Sequence, residues 1–255
     1  MSPADVDRVL SAVQAGSGLT FATFAVLHLT GHSLAGVRYE YASSALYAFR
    51  EYYHIPAVEV VVVGGAMVVH AASSAARVAL RTADSRGRPA PATPARAAAG
   101  PGSRETKAEQ AARQRAWHRL AGYTLGLFMV GHVTATRLVP LWYLPDPSVV
   151  DLTYASYPMT THPGFFHAYY LLLAFAGMYH TAYGISSALR TLHVRVPGVS
   201  LATWDRVTTA MAGLSAATVL ALAGTFEALY IPRAKLWAQL EDKLLSLVTF
   251  GLLGG

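Results

Sequence analysis

The chain has 255 residues, 53% of them hydrophobic and only 13% charged, with a formal net charge of +6 and no cysteine; its mean hydropathy is +0.34. A soluble domain would carry roughly twice that charged fraction. Without cysteine, thiolate ligation of zinc or of an iron–sulfur cluster by this chain alone is excluded, and the positive charge forms no basic stripe interleaved with aromatics, so nucleic acid is not the expected partner.

The few charges are unevenly spread. None occurs in 9–37, 120–136, 152–189 or 207–226, and between Tyr52 and Ala76 the one charged residue is Glu59. Crossing the bilayer core takes about 20 mostly apolar residues, and every one of these stretches has room for that. The pattern predicts an all-α polytopic membrane protein with five transmembrane helices, four of them forming a bundle and one peripheral.

In chain order, the first eight residues carry Asp5 and Asp7 and lack a basic n-region, so no cleaved signal peptide is expected. Spans are predicted near 15–37, 55–80, 119–141, 163–190 and 207–231. Pro56 and Pro163 stand where first turns would begin, positions at which a missing N–H costs least. The segment 81–116, rich in Ala, Pro, Gly and Arg, reads as a basic loop,. The resulting units are 1–80 and 117–190, two helices each, a fifth helix within 191–232, and an amphipathic tail, 233–255, lying at the interface. Lys and Arg crowd the loops after spans two and four, whereas 139–161 has neither. The positive-inside rule then places the N-terminus on the cytoplasmic or matrix side of a bacterial or mitochondrial inner membrane.

A weak internal repeat relates the two units. "FAVLHLTGHSL" aligns with "FMVGHVTATRL", setting His28 against His132, and "VVVHAASSAARVALRT" aligns with "GMYHTAYGISSALRT", setting His70 against His180. A lone intramembrane histidine is readily explained as a polar group bonded to a carbonyl of the next helix. Four, one on each of four helices and paired by a repeat, suggest bis-imidazole haem. Small residues flank His70 (Gly64, Gly65, Ala71, Ala72) and His180 (Ala176, Gly177, Ala182, Gly184), although such residues also let bare helices approach. At 1.5 Å rise per residue, His180 lies about 15 Å from the charge belt at Arg190, and His132 about 20 Å from Arg119. The depths give an inner pair, His70 with His180, and an outer pair, His28 with His132, for which His32 is an alternative ligand one turn away.

The stretches "WHRLAGYTLGLFMVGH" and "MYHTAYGIS" resemble the cytochrome b membrane anchors of succinate:quinone oxidoreductases and fumarate reductases (respiratory complex II). The first is similar to their His-Arg-x-Ser/Thr-Gly signature, with Ala121 in place of Ser or Thr; the second to their His-x-x-x-Gly-x-Arg motif, with Ser186 in place of Arg. The resemblance implies haem b on His70 and His180, a docked iron–sulfur subunit and its flavoprotein, and quinone as substrate. It also implies quinone or propionate contacts from Trp117, His118, Arg119, Arg77 and Arg81. Glu59, near the outer end of the second span, reads either as a proton carrier at an outer quinone site or as a helix-end carboxylate exposed to water. Trp117, Arg119, Arg77 and Arg81 read equally well as interfacial anchors. Two rivals stand beside this reading: a cytochrome b subunit of a nitrate reductase or hydrogenase type, and a haem-free scaffold or transporter whose histidines bond to one another or relay protons. No dinucleotide fingerprint is present, so no dehydrogenase chemistry is expected of this chain itself.

Overall fold

The computed structural model describes residues 1–86, 106–195 and 200–249, and among these there is no strand. Most of the basic loop, with Arg88, Arg96 and Arg104, and the last six residues of the tail lie outside the described residues.

Helix α1 runs Pro3–Ser33, longer than the predicted span, because Ser2 and Asp5 close a capping box and Pro3 opens the first turn,. A short 3₁₀ turn, Leu34–Gly36, leads to α2, Tyr39–Tyr53. The second span starts as a π-helical segment, Val58–Gly65, and continues as α3, Ala66–Arg86. Helix α4, Lys107–Val133, also begins earlier than expected, again on a capping box, here Thr106 with Glu109,. It runs into a second π-helical segment, Thr134–Leu138, and the short α5, Val139–Tyr143. After α6, Leu152–Thr161, come α7, Pro163–Thr191, α8, Leu201–Leu222, and α9, Ala234–Val248. Helix α8 stops well short of 231: Gly224 adopts φ +79° just past its end, a left-handed position that terminates helices and favours glycine.

Among the described residues, three segments are long and apolar enough to cross a membrane: Pro3–Gly36, Val58–Asp84 and Lys107–Tyr143. No more than 17% of the apolar window of each is buried within the protein. Val61 (64% exposed), Leu127 (74%) and Val130 (72%) face outward, which is the arrangement of a chain whose solvent is lipid. The first three predicted spans thus have the length and hydropathy to cross. Helices α7 and α8, at the fourth and fifth, have 29 and 22 residues, but His and Tyr dilute the hydropathy of α7, and Asp205, Arg206, Thr and Ser that of α8.

Helix α1 packs on α3 and on α7, α7 packs on α4, and α8 covers α7. Ala15, Ala22 and Ala25 of α1 are buried at these contacts, where small side chains let helices approach closely. The order around the bundle is α3–α1–α7–α4. Its fourth side, between α3 and α4, lacks the extensive packing of the other three. At the end remote from the basic loop, α9 docks its apolar face. Trp237 (0% exposed) and Leu240 (2%) pack with Val139, Val150 and Tyr154. Trp237 Nε1 donates to Thr153 Oγ1 at 3.0 Å, and Arg233 pairs with Asp151 at 2.7 Å.

Candidate functional site: two histidine layers

The bundle order puts α3 diagonally opposite α7, and α1 diagonally opposite α4. Each predicted histidine pair lies on one of these diagonals, so both pairs meet inside the bundle.

In the layer nearer the basic loop, the rings of His70 and His180 are 6.0 Å apart between centroids and nearly perpendicular, at 85°. His70 Nδ1 lies 3.0 Å from the Gln14 carbonyl oxygen, and His180 Nδ1 3.2 Å from that of His118. A carbonyl only accepts, so each Nδ1 carries a proton, and in the neutral form of the ring Nε2 keeps its lone pair. Glycines make room for both rings. A Cβ on Gly18 would sit 2.9 Å from His70 Nδ1, and one on Gly122 would sit 2.9 Å from His180 Cε1. These partners extend the repeat: the offset of 104 that carries His28 to His132 also carries Gly18 to Gly122 and Gln14 to His118. Sequence reading missed Gln14 and Gly18. The shared offset was the signal available, and it holds no conspicuous residue type. His118 itself stacks on His180, 4.3 Å between centroids and 11° between planes, with Tyr183 beside it at 4.9 Å.

The second layer is built differently. His28 and His132 are again 6.0 Å apart, with planes at 73°. His32 Nδ1 lies 2.9 Å from the His28 carbonyl oxygen of its own helix, and its ring is 4.4 Å from that of His28. Phe24 stacks on His28 at 5.1 Å, and Tyr170 stands edge-on to His132 at 6.4 Å. His132 Nδ1 is buried with no hydrogen-bond partner among the described residues. Ten residues of α1 separate Gly18 from His28, which places the layers about 15 Å apart along the helix.

The remaining predicted residues do not converge on a single inner site. Arg77 Nε donates to Asp7 Oδ1 at 2.9 Å and its Nη1 to Gln14 Oε1 at 2.5 Å, and Arg81 pairs with Asp7 at 3.7 Å. Both arginines therefore bind α3 to α1. Trp117 is 48% exposed and Arg119 is exposed beside it, whereas His118 turns inward to His180. Glu59 does not stand alone at a helix end: it forms a two-pronged ion pair with Arg137, the second contact at 2.6 Å. Arg137 lies inside the third predicted span, 119–141, and its partner is 78 residues away, so no local pattern pairs the two. Nearby, His54 caps α2 outside the spans. Its pKa is pushed down to about 4, chiefly by burial and then by the Arg137 and Arg50 guanidiniums.

Chemically, each layer sets two imidazoles across the bundle with a third beside them, His118 against His180 and His32 against His28. Among the described residues no group of three or more His, Asp or Glu side chains could hold a metal ion. The donor set fits a group that needs two axial nitrogens, and the Gly18 and Gly122 notches leave the rings of the first layer room.

The family model described as MDM10-complementing protein 1, transmembrane domain, matches residues 127–237, less than half of the chain. No curated protein and no solved structure matches it. The match overturns the resemblance to complex II. It covers "MYHTAYGIS" and the end of "WHRLAGYTLGLFMVGH", with His132, the two stretches on which that resemblance rested, and points to another family. With it fall the haem b anchor function, electron transport and the tricarboxylic acid cycle, and the iron–sulfur and flavoprotein partners. The motif misled because a histidine among Gly, Ala and Ser is what any close-packed polar helix contact requires. From the last turns of α4 through α7 and α8 to the start of α9, what this chain is similar to is the transmembrane domain of MDM10-complementing protein 1.

Proposed function

We propose that this chain is a membrane scaffold whose α1, α3, α4, α7 and α8 cross the bilayer, with the N-terminus and the basic loop on the cytoplasmic or matrix side. Its buried histidines serve first to fix helices to one another. The observation that carries this reading is the pair of repeat-related bonds in which His70 and His180 each bind a carbonyl of a neighbouring helix. Inside a bilayer such bonds contribute about 1 kcal/mol each. Thermal unfolding of the purified chain in detergent tests it: His70→Leu and His180→Leu should each lower the midpoint, and unchanged midpoints would count against the scaffold role.

A second reading adds a cofactor to the same bundle. It is favoured by the 6.0 Å separation of near-perpendicular rings and by the carbonyl bonds that occupy both Nδ1 atoms and leave both Nε2 atoms without a protein partner of this kind among the described residues. His70 and His180 would hold one haem b, and His28 with His132 a second. Haem would supply a one-electron centre; the chain's part would be to fix ring orientation through the Gln14 and His118 carbonyls. A visible spectrum of the chain purified from haem-replete cells decides it. Low-spin bands lost in His70→Ala and His180→Ala support it, and absence of bands in the unaltered chain rejects it. Haem-to-protein stoichiometry then separates one site from two.

A further inference from the structure

Among the described residues, three sides of the bundle are closed by extensive helix packing, and the side between α3 and α4 is not. At one point that seam is bridged by charge. Glu59 lies in the π-helical entry to α3, Arg137 in the π-helical exit from α4, and they form the two-pronged pair. Each side chain is 27% exposed. Two charges held at that depth need each other, since an unpaired one would meet lipid. The π-helical segments are the second observation. Such turns are rare, appear mostly as single turns, and gather at functional positions, yet here one runs for eight residues, and both charged residues of the pair lie in such segments. A π turn admits an extra residue and so rotates the helix on its N-terminal side against the helix on its C-terminal side. On α4 the N-terminal side carries His132, and on α3 the π-helical segment packs against α1, which carries His28.

We propose that the Glu59–Arg137 pair is the clasp of the α3–α4 seam: it sets the width of the one side not closed by packing, and with it the facing of His132 across from His28. Opening the clasp is then the motion that exposes the histidine layers sideways to the bilayer. The clasp acts in the same way with or without a cofactor in the bundle.

The test uses the absence of native cysteine. Nitroxide labels on Val61→Cys and Val130→Cys, both outward-facing, report the distance across the seam by pulsed electron resonance in lipid nanodiscs. The expected result is one narrow distribution in the otherwise unaltered chain. It should become longer and broader with Glu59→Gln or Arg137→Gln, and return in the charge-swapped Glu59→Arg/Arg137→Glu protein. Arg137→Lys, which keeps the charge but loses the fork, should fall between and serves if the neutral variants do not fold. An unchanged distribution in the neutral variants overturns the clasp, as does a swap that fails to restore it.

Discussion

The two histidine layers share a ring separation of 6.0 Å but reach it by different means. Near the basic loop, backbone does the positioning: the carbonyls of Gln14 and His118 fix the rings, and Gly18 and Gly122 admit them. At the other layer, side chains do it: Phe24 and Tyr170 flank the rings, His132 Nδ1 has no partner, and a charged pair closes the seam. A layer set by backbone resists side-chain changes around it but tolerates no added atom. A layer set by side chains can be loosened from several directions.

The largest effect should come from adding one carbon to the first layer. Gly18→Ala and Gly122→Ala drive a methyl group into His70 and His180, and overpacking of this kind costs about 1–3 kcal/mol. Gly16→Ala and Gly126→Ala meet nothing within 4 Å and should be neutral or stabilising by up to about 1 kcal/mol through helix propensity. Unfolding midpoints of the four variants sharpen the comparison, and equal effects would break it. Next comes the clasp. Neutralising Glu59 alone strands Arg137 and should cost about 2 kcal/mol, between the values for exposed and fully buried pairs.

Removing single rings should then separate the layers by sign. His70→Leu loses a made hydrogen bond and destabilises by about 1 kcal/mol, whereas His132→Leu removes an unpartnered buried nitrogen and should be neutral or stabilising. If both destabilise equally, His132 has a partner that the chain alone does not supply. The smallest effect is the pH response of the clasp end. His54 has its pKa lowered from 6.5 to about 4 by burial and the nearby guanidiniums. The unfolded chain therefore binds the proton more readily, so this contribution is complete above pH 6.5 and is lost as pH falls toward 4,. His54→Phe should flatten that part of the stability curve, measured by unfolding between those pH values.

The family comparison corrects the respiratory assignment and leaves its geometric core in place. That His70 lies opposite His180, and His28 opposite His132, follows from the repeat, because two copies of a helix pair place equivalent residues on equivalent diagonals. The respiratory role was borrowed from short motifs, and short motifs around a packed histidine repeat for packing reasons alone. The four residues His118, Arg119, Arg77 and Arg81 illustrate the same limit. They are near one end of the bundle, as their spacing suggests, but helix rotation sends His118 inward, leaves Arg119 exposed, and gives both other arginines to Asp7.

By itself the sequence determined the helical membrane class, the histidine pairs, and the basic and apolar ends, since charge and hydropathy along the chain are local properties that lipid reads directly. It also carried the Ser2–Asp5 and Thr106–Glu109 caps, which set helix starts from within four residues. Only the tertiary structure decided the unpacked α3–α4 side, the Glu59–Arg137 pair, 78 residues apart in sequence, and the carbonyls that aim His70 and His180. Those depend on how each helix is rotated about its axis, and that rotation is fixed by neighbours that no local pattern contains.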